Sequence, residues 1–192
     1  MTYTAKNYDY LKGGLLKGIS DSQIEQHLTL YKGYVAKFNE IETKLSEIDN
    51  TKSNYSFNEY SELKRREAVP FNGTFLHELY FDNLGANSDI SPDLLKAINL
   101  QGGKEKLLAD LKAAALCGPG WSLMTYNRRD NKLHVYFIAE HHLNLPIDQD
   151  ILLVLDSWEH AFMVDFGIKR GEYIDVFLDN INWKEVSSRF TK

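Results

Sequence analysis

The sequence predicts an α+β fold, with a long antiparallel helical hairpin at the N-terminus followed by an α/β lobe that contains a three-stranded antiparallel sheet. Two observations carry this prediction. Apolar residues recur at helical spacing over most of residues 20–81, whereas three short strand-like segments lie within residues 121–155. Because the helical part and the strand-bearing part follow one another along the chain, we expect two domains, residues 1–86 and residues 87–192.

The first predicted helix covers residues 20–48. Ser20 or Asp21 is its expected N-cap, because a short polar side chain can accept a hydrogen bond from the free backbone N–H groups of the first turn. One face of this helix is apolar and must be buried against another element. The face consists of Ile24, His27, Leu28, Tyr31, Tyr34, Val35, Phe38, Ile41, Leu45 and Ile48.

A second helical segment follows a polar stretch at residues 49–55 and covers residues 57–81. We expect Pro70 and Gly73 to disturb this helix, since proline lacks a backbone N–H and glycine is conformationally free. Two long helices joined by a polar connection predict an antiparallel hairpin.

The C-terminal half carries the remaining elements. An alanine- and leucine-rich helix is expected over residues 104–116, ended by a Gly-Pro-Gly sequence. Residues 121–126 and 133–139 predict a β-hairpin, and the wholly apolar run at residues 151–155 predicts a buried strand. Residues 172–189 return to helical spacing.

Composition narrows the class of function. The chain has 192 residues and a formal charge of −5, from 22 basic and 27 acidic residues, which argues against a protein that coats nucleic acid. Cys117 is the single cysteine, so neither an intrachain disulfide nor a thiolate metal cluster is expected. The polar residues 1–18 lack the pattern of a signal peptide, and no apolar segment is long enough to span a membrane, so we expect a cytoplasmic protein.

The sharpest local feature directly follows the predicted buried strand. Asp156 and His160 are four residues apart, so a helical turn can direct both side chains to one point. A carboxylate and an imidazole placed in this way could coordinate a metal ion. A buried Asp–His pair joined by a hydrogen bond would give the same pattern. The spacing alone leaves both interpretations open.

Four motifs resemble those of the iron/manganese superoxide dismutases. The sequence DSWEHAF at residues 156–162 resembles the family signature Asp-x-Trp-Glu-His-Ala-(Tyr/Phe). GPGW at residues 118–121 resembles the entry to a family strand, and FNG and HELYF at residues 71–81 resemble the helix of the second ligand. IEQH at residues 24–27 resembles the helix of the first ligand. The similarity extends over nearly the whole chain.

The resemblance implies the family's fold and its activity, the conversion of superoxide to dioxygen and hydrogen peroxide with one redox-cycling iron or manganese ion per subunit. It also implies that His27, His77, Asp156 and His160 are the metal ligands. Judged only by their place on apolar helix faces, His27 and His77 would more often be hydrogen-bonded core residues. The coincidence of four ligand positions with the motifs outweighs that interpretation. The alternative function is a non-catalytic scaffold or interaction protein with the same fold.

The chain departs from the family pattern near the expected entrance to the site. Most members separate the first ligand from a gateway tyrosine by eight residues, whereas Tyr34 follows His27 by seven. We therefore expect Tyr34 to be the gateway, with Tyr31 on the same helix face as the second candidate. The resemblance places His141 where other members have a glutamine close to the solvent at the metal, and His142 is the runner-up for this role.

The resemblance also implies an aromatic shell around the metal site and a partner subunit. Trp121, Trp158 and Phe81 are expected to exclude water from the site. Glu159 is expected to reach a metal-ligand histidine of a partner subunit, which implies a homodimer, with a tetramer left open. The expected substrate is the superoxide anion, and neither nucleic acid nor a membrane is an expected partner. Because the usual glutamine is replaced by histidine, the sequence favours neither iron nor manganese.

Overall fold

The computed structural model describes residues 2–190 of the chain. In chain order these residues form a 3-10 turn (Asp9–Leu11), α1 (Asp21–Glu47), α2 (Glu59–Asp82), α3 (Pro92–Leu100), α4 (Lys104–Ala115), β1 (Trp121–Asn127), β2 (Lys132–Ile138), β3 (Asp150–Asp156), a second 3-10 turn (Glu159–Ala161), α5 (Met163–Phe166), α6 (Arg170–Asp179) and α7 (Trp183–Ser188). This order confirms the α+β arrangement that the sequence predicts.

Helices α1 and α2 pack side by side as the predicted hairpin. Ser20 is the N-cap of α1, and its side-chain oxygen accepts a hydrogen bond from the backbone N–H of Gln23 at 3.1 Å. Asn58 caps α2 in the same way. The expected disturbance of α2 is wrong, because the helix continues through Pro70 and Gly73 without a break. Pro70 removes one backbone hydrogen bond, while the turns on both sides hold the helix together.

The three strands form one antiparallel sheet in the order β2-β1-β3, as the sequence predicts. Trp121, the first residue of β1, pairs with Asp156, the last residue of β3. Helix α2 packs against β3. The end of β3 therefore lies close to the hairpin, which carries His27 and His77.

The C-terminal helical stretch differs from the prediction. Instead of one helix over residues 172–189, the chain forms α6 and α7, which are separated at residues 180–182. Asn182 accepts a hydrogen bond from a backbone N–H of α7 and so caps a new helix. Ile181 pairs with Leu84 in an isolated bridge. Both segments keep a helical period, and for this reason the spacing of apolar residues does not reveal the interruption.

Helix α3 is absent from the sequence prediction, although its start signal is present. Ser91 is the N-cap, and its side chain accepts a hydrogen bond from the backbone N–H of Leu94. Pro92 occupies the start of the helix, where an N–H has no partner within the helix in any case. A serine followed by proline and an apolar run is therefore a usable signal for this helix.

One buried apolar cluster runs through the described residues, from Tyr8 to Phe190. It contains side chains from both predicted domains, and the division at residue 86 stays a prediction. Within residues 2–190, no helix has the length and apolar character that crossing a membrane requires.

Candidate metal centre

Four side chains converge where the hairpin meets the sheet. His27 comes from α1, His77 from α2, Asp156 from the last position of β3 and His160 from the second 3-10 turn. Each residue offers one ligating atom, and these atoms all lie within 4.8 Å of one another. The first three residues are buried, whereas 29% of the His160 side chain is exposed. The structure thus brings together all four residues that the sequence predicts as ligands.

Asp156 lies at the centre of this cluster. Its Oδ2 atom is 3.2 Å from Nε2 of His27, 3.1 Å from Nε2 of His160 and 3.7 Å from Nε2 of His77. Its Oδ1 atom accepts a hydrogen bond from the backbone N–H of Trp158 at 2.8 Å. Three imidazole nitrogens and one carboxylate oxygen form a ligand set that suits iron, manganese or zinc.

The backbone around Asp156 differs from the sequence expectation. The spacing predicts one helical turn that carries both Asp156 and His160, but Asp156 ends a strand and His160 lies in a 3-10 turn. The spacing still places the two side chains 3.1 Å apart. Tyr173 of α6 donates its hydroxyl to the backbone carbonyl of Asp156 at 2.8 Å and so holds the end of the strand.

Further hydrogen bonds orient the imidazole-bearing elements. Nδ1 of His77 donates to the backbone carbonyl of Gly73 at 2.6 Å, which leaves Nε2 as the unprotonated nitrogen. The Gln23 side chain donates from its Nε2 to the backbone carbonyl of His160 at 2.6 Å and accepts from the backbone N–H of Val164 at 3.0 Å. Gln23 therefore ties α1 to the 3-10 turn that carries His160.

The cluster contains buried nitrogen atoms without hydrogen bonds. Among the described residues, neither Nε2 of His27 nor Nε2 of His77 has a hydrogen-bond partner. Nε2 of His27 lies near Asp156 but is not oriented to bond it. Buried polar atoms without partners are rare in folded proteins. A cation among these atoms would satisfy them, so the residues fit a metal ion.

The electrostatics of the cluster also suit a cation. Burial lowers the pKa of His27, and burial together with the neighbouring His27 lowers the pKa of His77 well below its usual value, so both imidazoles are neutral at pH 7. Burial opposes the ionisation of Asp156, but His160 and His27 outweigh it and lower the pKa of this carboxyl. Burial also opposes the charge of His160, but Asp156 raises its pKa overall. Cation binding would favour the neutral form of His160, because a ligating imidazole must be neutral.

A line of three hydrogen-bonded side chains lies beside the cluster. The indole N–H of Trp121 donates to Nδ1 of His141 at 2.9 Å. Because an indole N–H can only donate, the imidazole carries its proton on Nε2, and it donates this proton to the hydroxyl of Tyr34 at 2.6 Å. Burial lowers the pKa of His141, so its imidazole is neutral at pH 7. Burial, followed by Asp156, raises the pKa of Tyr34, and its phenol therefore keeps its own proton.

Tyr34 and His141 lie next to one of the candidate ligands. Their ring centroids are 5.2 Å and 6.2 Å from that of His77. Gly73 allows this close packing, since a Cβ at that position would lie 2.7 Å from Cδ1 of Tyr34. The line from Trp121 through His141 therefore ends on a phenol that packs directly on α2.

Tyr31 is the second candidate for the gateway and His142 the second candidate for the residue near the solvent at the metal, and their surroundings differ from those of Tyr34 and His141. The Tyr31 side chain is fully buried, and its hydroxyl donates to Glu78 at 2.7 Å rather than to a residue of the cluster. Within residues 2–190, the buried Nδ1 of His142 has no hydrogen-bond partner. Tyr34 and His141 are thus bonded to each other beside His77, whereas Tyr31 is bonded to Glu78.

The three aromatic residues that the sequence predicts as a shell all lie near the cluster. Phe81 is buried, with its ring centroid 4.9 Å from that of His27. Trp121 is buried, with a ring centroid 5.0 Å from that of His77. Trp158 is partly buried, and its ring centroid is 6.1 Å from that of His141. Together they make the surroundings of the cluster largely apolar.

A groove of about 1180 Å³ opens beside the cluster. Its walls come from α1, α2 and residues 159–164, and its lining, which is mostly apolar, includes Tyr34 and His160. Half of the Glu159 side chain is exposed at this groove, where Arg170 lies 3.4 Å from its Oε1 atom. Glu159 thus faces outward rather than into the cluster.

The sequence prediction misses three buried polar residues near the site, Gln23, Tyr173 and Glu78. Gln23 lies four residues before His27, and Glu78 directly follows His77. A polar residue one turn from a candidate ligand on a buried helix face is a usable signal for Gln23. The partners of Tyr173 and Glu78 come from distant segments, so no local pattern marks these two residues.

The hairpin, the antiparallel sheet and the buried cluster define an α+β protein with a candidate site for one metal ion. Residues 91–189 match the C-terminal domain of the iron/manganese superoxide dismutases. The chain is 41% identical over 191 residues to the superoxide dismutase (Fe) of Aquifex aeolicus, and the match covers 96% of this chain and 90% of that protein. The chain therefore belongs to the iron/manganese superoxide dismutase family.

Two further relatives carry the same activity name with different metals. The superoxide dismutase (Fe) of Cupriavidus metallidurans is 34% identical over 181 residues, which cover 91% of this chain and 90% of that protein. The superoxide dismutase (Mn) of Mycolicibacterium fortuitum is 28% identical over 193 residues, which cover 98% of this chain and 92% of that protein. The chain is thus similar to proteins named for either metal.

Proposed function

We propose that this protein is a superoxide dismutase that holds one iron or manganese ion per subunit. The ligands would be His27, His77, Asp156 and His160. The observation that carries the proposal is the largely buried cluster of three imidazoles and one carboxylate, whose ligating atoms lie within 4.8 Å of one another. The two buried histidine nitrogens without hydrogen-bond partners in the described chain support a cation at this point.

The chemistry divides between the ion and the side chains. Bound iron or manganese supplies one-electron redox chemistry, by which one superoxide is oxidised to dioxygen and another is reduced to hydrogen peroxide. The Asp156 carboxylate contributes the negative charge of the ligand set. His77 is fixed by its hydrogen bond to Gly73, so its Nε2 is presented in one orientation. Phe81 packs on the ligand rings and excludes water.

Peroxide formation consumes protons, and Tyr34 is placed to deliver one. The resemblance places His141 close to the solvent at the metal site, but both of its ring nitrogens are engaged, Nδ1 by Trp121 and Nε2 by Tyr34. The imidazole therefore acts through Tyr34. By donating to the phenol oxygen, it leaves the O–H proton of Tyr34 available to the substrate or to solvent. Tyr34 also lines the groove, which suits a gateway residue.

The proposal includes assembly into a homodimer or a tetramer with Glu159 at the interface. Glu159 lies on the groove beside Met163 and Val164, which are 48% and 44% exposed. Exposed apolar side chains around a charged residue suit a contact between subunits. We also propose a cytoplasmic location and no nucleic-acid partner. The single exposed Cys117 is compatible with a reducing compartment, and the net charge of −5 disfavours binding to nucleic acid.

Replacing His141 by alanine is expected to lower the dismutation rate about 10- to 100-fold while the metal stays bound. The change leaves the Trp121 N–H without an acceptor and Tyr34 without the donor that orients it. His141→Gln should recover much of the rate, because an amide can both accept from Trp121 and donate to Tyr34. Rate and metal content would be measured for each variant. His142→Ala, at the runner-up position, should keep the parental rate, and a parental rate for His141→Ala would contradict this role.

The direct test of the function is superoxide dismutation by purified protein loaded separately with iron and with manganese. One bound ion per subunit and a rate far above that of the free metal salt are expected for at least one metal. The two rates also establish the metal preference. Stoichiometric metal without activity in either form would favour the alternative, a non-catalytic scaffold of this family.

A further inference from the structure

The buried carboxylate of Glu78 collects hydrogen bonds from two parts of the chain. It is 4% exposed. Tyr31 of α1 donates its hydroxyl to this carboxylate at 2.7 Å, and Tyr3 donates its hydroxyl at 2.9 Å. Lys6 places its ammonium 3.2 Å from Oε2, and its backbone N–H donates to the Tyr31 hydroxyl at 2.9 Å. A buried carboxylate without partners is strongly unfavourable, so these groups allow a negative charge at this position.

The hydrogen bond between Tyr31 and Glu78 lies beside two candidate ligands. Glu78 directly follows His77, and Tyr31 lies four residues, or about one helical turn, after His27. The bond therefore joins α1 to α2 close to the point where the rings of His27 and His77 meet, with their centroids 5.1 Å apart. Its loss would allow a change in the spacing of the two helices that carry these ligands.

The N-terminal arm, residues 2–8, closes over this hydrogen bond. The backbone of Tyr3 bonds to the Asn39 side chain of α1 through both its N–H and its carbonyl, each at 2.8 Å. The Tyr8 hydroxyl donates to the backbone carbonyl of Glu78 in α2 at 3.3 Å. The arm is thus bonded to both helices of the hairpin.

We propose that the N-terminal arm and the Tyr31–Glu78 pair form a clasp that holds α1 and α2 at the spacing at which His27 and His77 retain the metal ion. Tyr31 and Glu78 are positioning residues, because they act through the helices rather than on the substrate. The inference rests on the proposed metal site. If the clasp acts in this way, weakening it should speed the release of metal even where the overall stability of the fold is unchanged.

Two variants test the clasp with little change in shape. Tyr31→Phe removes one hydroxyl, and Glu78→Gln removes the charge that Tyr3 and Lys6 also bind. Release of iron or manganese from the fully loaded protein into excess chelator would be followed at a temperature far below unfolding. We expect release from both variants to be at least about 10-fold faster than from the parent. Should Glu78→Gln fail to fold, Tyr31→Phe alone carries the test.

Tyr126→Phe is the matched control. Tyr126 is also a buried tyrosine, and its hydroxyl bonds to Asn131 at 3.0 Å at the far end of β1. The Tyr126→Phe substitution should lower the free energy of unfolding about as much as Tyr31→Phe while leaving metal release at the parental rate. Parental release from a stoichiometrically loaded Tyr31→Phe protein, or equal acceleration in the control, would overturn the clasp. A parent protein that binds neither metal would instead overturn the metal-site proposal.

Discussion

Replacing Asp156 by asparagine is expected to prevent stoichiometric binding of iron or manganese and to reduce dismutation to the background rate. Oδ2 of Asp156 lies within 3.7 Å of Nε2 of His27, His77 and His160. The amide keeps the shape of the side chain, and its oxygen can still accept the hydrogen bond from the backbone N–H of Trp158. It removes the one negative charge of the four-residue ligand set. We expect metal affinity to fall by more than about 100-fold, beyond the usual effect of losing an outer hydrogen-bond partner.

Metal content after dialysis and the rate of superoxide loss would measure this effect. Circular dichroism would establish that the variant is folded. Asp175→Asn is the control, because Asp175 is an exposed carboxylate on α6 whose ion pair is with Lys112. This control should keep full metal and full activity. One bound ion and a parental rate in the Asp156→Asn protein would show that the ligand assignment is wrong.

The predictions that agree with the structure come from local signals. Ser20, followed by regular apolar spacing, predicts α1 to within one residue at each end, because a cap and an apolar helix face are both patterns of neighbouring residues. The four candidate ligands come from four different elements, yet each lies in its own short motif. For this reason the sequence places all of them before any contact between those elements is known.

Contacts between distant segments are not accessible in this way. Tyr3 and Glu78 are 75 residues apart, and nothing near Glu78 in the sequence marks its carboxylate as buried. The direction of the hydrogen bonds through His141 depends on which ring nitrogen faces Trp121, and this is decided by tertiary packing. Pro70 is the opposite case. A local rule predicts a disturbed helix, but the packing of α2 against α1 and β3 keeps the helix continuous.

Replacing Gly73 by alanine is expected to displace Tyr34 and to lower the dismutation rate about as much as His141→Ala. The new Cβ would lie 2.7, 2.9 and 3.0 Å from Cδ1, Cε1 and Cγ of the Tyr34 ring, so the ring must move. This ring carries the hydroxyl that His141 holds at 2.6 Å. We expect the free energy of unfolding to fall by about 1–3 kcal/mol, the usual effect of overpacking. Activity assays and urea unfolding would measure the two effects.

Repeating Gly73→Ala in a protein that lacks the Tyr34 ring separates the steric clash with that ring from the effect of alanine on helix α2. In a Tyr34→Ala protein the ring is absent, so the effect of Gly73→Ala on the free energy of unfolding should change sign. The alanine should then stabilise the protein by about 1 kcal/mol, the usual advantage of alanine over glycine inside a helix. Gly171→Ala in α6 is the control, since no atom lies within 4 Å of its added Cβ. Equal destabilisation with and without the Tyr34 ring would assign the effect to the backbone of α2. A change of sign would assign the destabilisation to the contact between the new Cβ and the Tyr34 ring, and would show that the absence of a side chain at Gly73 makes room for the ring that His141 bonds.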